Sequence, residues 1–154
     1  MAESALEYLR THYLLVLATA SSDGKPHAAP MFYVSDGARI YVSAPDDSQT
    51  AANLKANPSA AIAVAEMPSE WTKAKGLQLD GRAEELEGDE EAAAGELFAG
   101  RYPFLGDAVR HSHYWRFDPA EVHYVHNEES GDEHFESLGQ GWERETVAVD
   151  SLDQ

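Results

Sequence analysis

Apolar residues recur along the chain in two rhythms, and the changes between them mark out elements. In residues 3–11, Ala5, Leu6 and Leu9 fall on one face of a helix, with Ser4 placed to cap it. Residues 13–20 (YLLVLATA) then form an apolar run of strand length, closed by Ser21-Ser22-Asp23-Gly24, a hairpin-forming group. Residues 27–34 (HAAPMFYV) predict the next strand. Pro30 inside it lacks an N–H for a ladder, which predicts an edge, a bulge or a stretch facing a ligand. Ser35-Asp36-Gly37 turns the chain into a strand over residues 39–43, so the three strands read as an antiparallel meander.

Residues 48–56 are helical by composition and stop at Asn57-Pro58. Residues 60–65 read as a strand, and residues 71–86 hold a strand pair's worth of chain centred on Gly76 to Ala83. Residues 89–101 predict a helix with Ala93, Leu97 and Phe98 facing inward, broken at Tyr102-Pro103. Residues 113–125 predict a strand interrupted at Asp118-Pro119. Antiparallel strands with inserted helices and no repeating β-α-β unit predict a β-barrel or α+β fold. The expected organisation is one domain over residues 1–138, followed by an acidic, flexible tail over residues 139–154.

Charge narrows the partners. Twenty-eight Asp and Glu against eleven Lys and Arg leave a formal net charge of −17, a field that repels nucleic acid and anionic membranes. Residues 84–96 carry seven of the carboxylates and no base. Such stretches read either as solvated faces or as a surface adapted to high salt. The absence of cysteine excludes thiolate chemistry. The longest apolar run is too short for a membrane helix, and MAESALEYLR lacks the basic-then-apolar layout of a signal peptide, so a cytoplasmic protein is expected.

Several enzyme signatures are missing: G-x-G-x-x-G, the Walker loop, G-x-S-x-G and H-E-x-x-H. The seven histidines read as structural or surface residues in preference to a metal site, with haem ligation by a C-terminal histidine as an alternative. No carboxylate pair stands out as an acid–base couple against so acidic a background.

A long-range order is more informative. Leu17-Ala18-Thr19, Asp23-Gly24-Lys25-Pro26, Ser43, Ser48, Asn53-Leu54, Asn57-Pro58 and Gly81-Arg82-Ala83 follow one another, and Trp115-Arg116-Phe117 to Tyr124-Val125-His126-Asn127 come later. In that order they resemble the pyridoxamine 5′-phosphate oxidase-like family of flavin-binding split β-barrels, over roughly residues 5–127. The resemblance implies a mainly β (α+β) antiparallel split barrel with short peripheral helices, and a homodimer with FMN at its interface. It places the isoalloxazine ring against His27, Ala28, Ala29 and Pro30, with Val42 and Ser43 under the phosphate. Ser48, Gln49 and Thr50 come at a helix N-terminus suited to an anion, and Gln78 lies by the pyrimidine edge.

The same resemblance shows a departure. Pyridoxamine phosphate oxidases proper carry Arg at the place of His27 and Arg-Lys at the place of Gln49-Thr50, so fixed cations are missing and Lys55, Lys73 and Lys75 are the remaining bases considered. The implied function is FMN binding, with flavin-dependent oxidoreduction of a small molecule other than pyridoxamine phosphate and no protein acid or base identified. The alternatives are a non-catalytic module for flavin, deazaflavin or haem, and a cofactor-free split-barrel dimer.

Overall fold

The computed structural model describes residues 2–70, 73–126 and 143–152. The elements in chain order are α1 (Ala2–Thr11), β1 (Leu14–Ala20), β2 (Pro26–Asp36), β3 (Arg39–Ser43), α2 (Gln49–Ala56), β4 (Ser59–Ala65), β5 (Lys75–Glu85), α3 (Gly88–Arg101), β6 (Tyr114–His126) and β7 (Glu143–Val147). All strand pairs are antiparallel. The sheet runs β3-β2-β1-β4-β5-β6-β7, and β3 also pairs with β6. That last pairing closes the first six strands into a barrel, as the antiparallel split-barrel reading expected, and leaves β7 as a flap beside β6.

Alternation along the strands fills the barrel. Leu15 and Leu17 of β1, Ile40 and Val42 of β3, Ile62 and Val64 of β4, Leu77 and Leu79 of β5, and Trp115, Phe117 and Val122 of β6 are all buried in one core. A second cluster of Val34, Leu86, Ala94, Phe98, Tyr102, Val109 and Tyr114 seats α3 against the barrel wall. Tyr33 ties the α1 end to this arrangement, donating its hydroxyl to the Leu9 carbonyl at 2.6 Å. Among the described residues no helix is long and apolar enough to cross a membrane.

Four details differ from the sequence reading. Residues 75–85 form one strand, not a strand pair. β6 continues through Asp118-Pro119 because a bulge absorbs the interruption: Gly81 faces Pro119 and Asp80 faces Glu121, which leaves Ala120 as the extra residue. α3 buries Ala94, Gly95 and Phe98, while Ala93 and Leu97 are exposed. The face is turned because Gly95 lies against the Arg110 backbone, where a side chain would meet atoms at 3.0–3.3 Å. Finally, the tail expected from residue 139 is ordered over Glu143–Val147 as β7, paired with β6, and Val147 and Leu152 are core residues. Two apolar side chains at the right spacing anchor an otherwise acidic segment. Residues 127–138 of the expected domain, and 139–142, 153 and 154 of the expected tail, lie outside the described residues.

A candidate cofactor site on the β2 edge

The two halves of β2 have different neighbours. Pro26 to Phe32 pair with β1, and β3 joins only at Tyr33. Among the described residues, the other edge of Pro26–Phe32 therefore meets no strand and leaves backbone groups available to a ligand. Pro30 sits in this stretch, in keeping with the edge position expected of it. The side chains of Ala28 and Ala29 are small enough to let a planar group approach the backbone.

At the start of this edge lies a polar cavity of about 240 Å³, lined by Ser21, Lys25, Pro26, His27, Gln49 and Asn53. The β1–β2 turn shapes one wall. Ser21 Oγ accepts the Lys25 N–H at 3.0 Å and also contacts Asp23, and Gly24 bonds back to the Ser21 carbonyl at 2.9 Å. The hydrogen bond from Ser21 holds the Asp23 carboxyl below its ordinary pKa, so Asp23 stays charged at the tip of the turn. α2 forms the opposite wall. Gln49 Nε2 donates to Asn53 Oδ1 at 2.8 Å, and Asn53 Nδ2 donates to Thr19 Oγ1 at 3.0 Å, which locks both amides to β1.

This geometry sorts the residues expected from sequence. His27 and Gln49 line the cavity, and Ala28, Ala29 and Pro30 extend from it along the open edge. Ser48 caps α2, its Oγ accepting the Ala51 N–H at 3.1 Å. Thr50 is 3% exposed and does not line the cavity, which meets α2 along its Gln49–Asn53 face. Val42 is buried in the barrel between Tyr33 and Trp115, and Ser43 pairs with Tyr114. Lys25, Ser21 and Asn53 are residues the sequence reading did not place here. Among the described residues, Lys25 is the only Lys or Arg in this lining, whereas Lys55 is taken by Asp46 at 2.9 Å and Lys73 by Glu70 at 3.4 Å. The available signal was the Asp23-Gly24-Lys25-Pro26 turn, which delivers the lysine directly to the start of β2.

Gln78 stands elsewhere. It lines a cavity of about 540 Å³ with Ala63, Val64, Ala65, Lys75, Gly76, Leu77, Val125 and Arg144, a mostly apolar hollow within the size range of ordinary ligand pockets. The smaller cavity suits an anionic group such as a phosphate: it offers an ammonium, an imidazole and neutral hydroxyl and amide groups. The residues present therefore fit the phosphate end of FMN, and the unpaired β2 edge fits a ring that hydrogen-bonds to backbone.

The acidic stretch beside the barrel is paired, not merely solvated. Arg116 contacts Asp118, Glu84 and Glu90 at 2.8, 3.0 and 3.1 Å. His113 lies between Glu85 at 2.6 Å on Nε2 and Glu91 at 2.8 Å on Nδ1. Burial opposes protonation of His113, but the Glu85 hydrogen bond and the charges of Glu91 and Asp46 outweigh it and raise the pKa above 6.5. A raised folded-state pKa adds stability that is complete below the unfolded value and lost as pH rises through the folded one. His113→Asn is expected to cost about 1–2 kcal/mol at pH 5.5, between the values for an exposed ion pair and a buried charged hydrogen bond. Denaturant unfolding should show that gap shrinking by pH 9. An equal gap at both pH values would mean that the imidazolium does not join these strands to α3.

The model of the pyridoxamine 5′-phosphate oxidase family matches residues 1–126. No curated protein matches the chain. Solved structures share its fold. HutZ, the heme storage protein of Vibrio cholerae, is 21% identical with a TM-score of 0.68, covering 78% of this chain and 91% of its own. A heme binding protein from Mycobacterium smegmatis is 24% identical with a TM-score of 0.69, covering 97% of this chain and 60% of its own. A FAD-binding protein from Mesorhizobium loti is 21% identical with a TM-score of 0.64, covering 79% and 91%.

Proposed function

The chain belongs to the pyridoxamine 5′-phosphate oxidase family, and from that premise we propose that it is a cofactor-binding barrel for FMN. The phosphate lies in the cavity of Ser21, Lys25, His27 and Gln49, and the ring runs along His27, Ala28, Ala29 and Pro30. The observation that carries this reading is the junction of an anion-suited polar cavity with an unpaired strand edge. A deazaflavin with a phosphate on its side chain would use the same two features. With one lysine and one imidazole in place of three fixed cations, the site is a poor match for pyridoxamine phosphate oxidation. Any turnover of a small molecule would rest on the redox chemistry of the flavin, with the protein supplying position and electrostatics.

The reading includes a homodimer. Tyr13, Leu14, Val16, Phe32 and Phe104 are exposed, and Leu14 and Phe32 face each other across β1 and β2. Such an apolar patch beside the cofactor edge supports burial against a second copy. Haem is a second reading, favoured by the apolar 540 Å³ cavity with Arg144 on its wall, which could take a large planar ring and a carboxylate, and by the heme-binding relatives. One experiment separates these readings: gel filtration with in-line light scattering and absorbance, after adding FMN or haem. Flavin absorbance co-eluting at twice the 16.9 kDa chain mass is the expected result. A Soret band with no retained flavin would favour haem, and elution of bare protein at the chain mass would overturn both the cofactor and the dimer.

A further inference from the structure

We propose that Asp80, Glu121 and His123 form a binding site for a divalent transition-metal ion of the Zn²⁺ type, on the outer face of the barrel. The site lies apart from the residues assigned to FMN. Leu77, Leu79, Val122 and Tyr124 point into the core, so the alternate residues Gln78 and Asp80 of β5 and Glu121 and His123 of β6 share the outer face. The register sets Asp80 opposite Glu121 and Gln78 opposite His123. One ligand atom from each of Asp80, Glu121 and His123 lies within 4.8 Å of the others.

Two carboxylates directly opposite each other on neighbouring strands repel, and the arrangement calls for a cation between them. Among the described residues, Glu121 meets no Lys or Arg in an ion pair but His123, with Nε2 3.4 Å from Glu121 Oε2, and Asp80 meets none. His123 is only 8% exposed, so its ring is held in place among its neighbours. Its Nδ1 lies 3.2 Å from the Thr146 hydroxyl on β7. In the tautomer that donates Nδ1–H to that hydroxyl, Nε2 turns a lone pair toward the two carboxylates. Metal-bound histidines have this arrangement, with the second ring nitrogen held by an outer partner.

The donor set, one imidazole nitrogen and two carboxylate oxygens, suits Zn²⁺ better than Mg²⁺, which favours oxygen donors alone. Three protein ligands leave a coordination position for water or an exchangeable anion.

The test is calorimetric titration of the full chain with ZnCl₂ at about 0.3 M NaCl, where diffuse attraction to the acidic surface is screened. Wild type should bind one ion per chain. Asp80→Asn, an exposed change that leaves the core alone, and His123→Gln should each weaken binding by at least tenfold. Thr146→Val should weaken it by about tenfold through loss of the outer partner. Glu87→Gln, which removes an exposed charge outside the cluster, should bind like wild type. Equal affinity in all variants would mean that zinc binds elsewhere, diffusely on the acidic surface or at the Asp46, Glu85 and His113 group, and no saturable binding in wild type would mean that His123 is simply a contact partner of Glu121. Either result overturns the proposal.

Discussion

Lys25→Ala is expected to weaken FMN binding by roughly ten- to a hundredfold while leaving riboflavin affinity nearly unchanged. Among the described residues, Lys25 is the only fixed cation in the lining of the polar cavity, and riboflavin lacks the phosphate that would meet it. A hydrogen bond to a charged group contributes about 1.5–3 kcal/mol, and about 1.4 kcal/mol corresponds to tenfold in dissociation constant. The protein's overall charge of −17 opposes a dianion at long range, which makes the local ammonium more important to the bound state. Gln49 keeps a second N–H beyond the one it gives Asn53 and can still donate in the variant, so binding should weaken without vanishing. The measurement is a flavin-fluorescence titration of wild type and variant with both ligands at one salt concentration. Equal losses for FMN and riboflavin would move the phosphate out of this cavity. Adding a cation at Thr50 is not an equivalent test, because Thr50 is buried and a lysine there would bury its ammonium.

Gly81→Ala should lower stability by about 3 kcal/mol, the upper end of the usual cost of overpacking. A methyl group at Gly81 would stand 2.3 Å from the Asp118 carbonyl oxygen, 2.8 Å from Phe117 Cζ and 2.9 Å from Pro119 Cα. Two of these are backbone atoms held by the β5–β6 ladder, so they cannot swing aside as a flexible side chain would. The bulge at Ala120 brings the two strands this close, and the glycine makes the bulge compatible with a continuous β6. At about 2–4 °C per kcal/mol for a chain of this size, the melting temperature should drop by about 6–12 °C. Gly100→Ala provides the control: it sits in α3 with nothing within 4 Å, and alanine there should be neutral or slightly stabilising. Similar melting temperatures for Gly81→Ala and wild type would show that β6 can shift away from β5, and the bulge would then not be rigid.

The carboxylates of residues 84–96 show how neighbouring chain segments change the meaning of composition. Read alone, the stretch looks like a solvated face. In the fold, Glu84 and Glu90 meet Arg116, Glu85 and Glu91 meet His113, and Glu96 meets Arg110 at 2.9 Å. The first turn of α3 is thereby fastened to the strands that close the barrel.

Local chemistry determined most of the elements by itself. An apolar run of strand length marked β1, the Ser35-Asp36-Gly37 turn led into β3, Ser48 and Asn57-Pro58 bounded α2, and the missing N–H of Pro30 marked the part of β2 that, among the described residues, has strand neighbours on one side only. These signals depend on residues within a few positions of one another, and so does the Asp23-Gly24-Lys25-Pro26 turn. The ordered set of turns and strand ends was also enough to identify the family. What the tertiary structure decided was which of these residues meet. The β3–β6 pairing that closes the barrel joins residues more than seventy positions apart, and no local pattern specifies it. Turning α2 onto β1 put Gln49 in the polar cavity and buried Thr50 outside it, although both are polar neighbours in sequence. The β5–β6 register brought Asp80, Glu121 and His123 to one patch, and the burial of Val147 and Leu152 made a strand and a core contact from an acidic segment. Each outcome follows from long-range register and from burial of a few apolar side chains, both of which depend on the whole chain being folded.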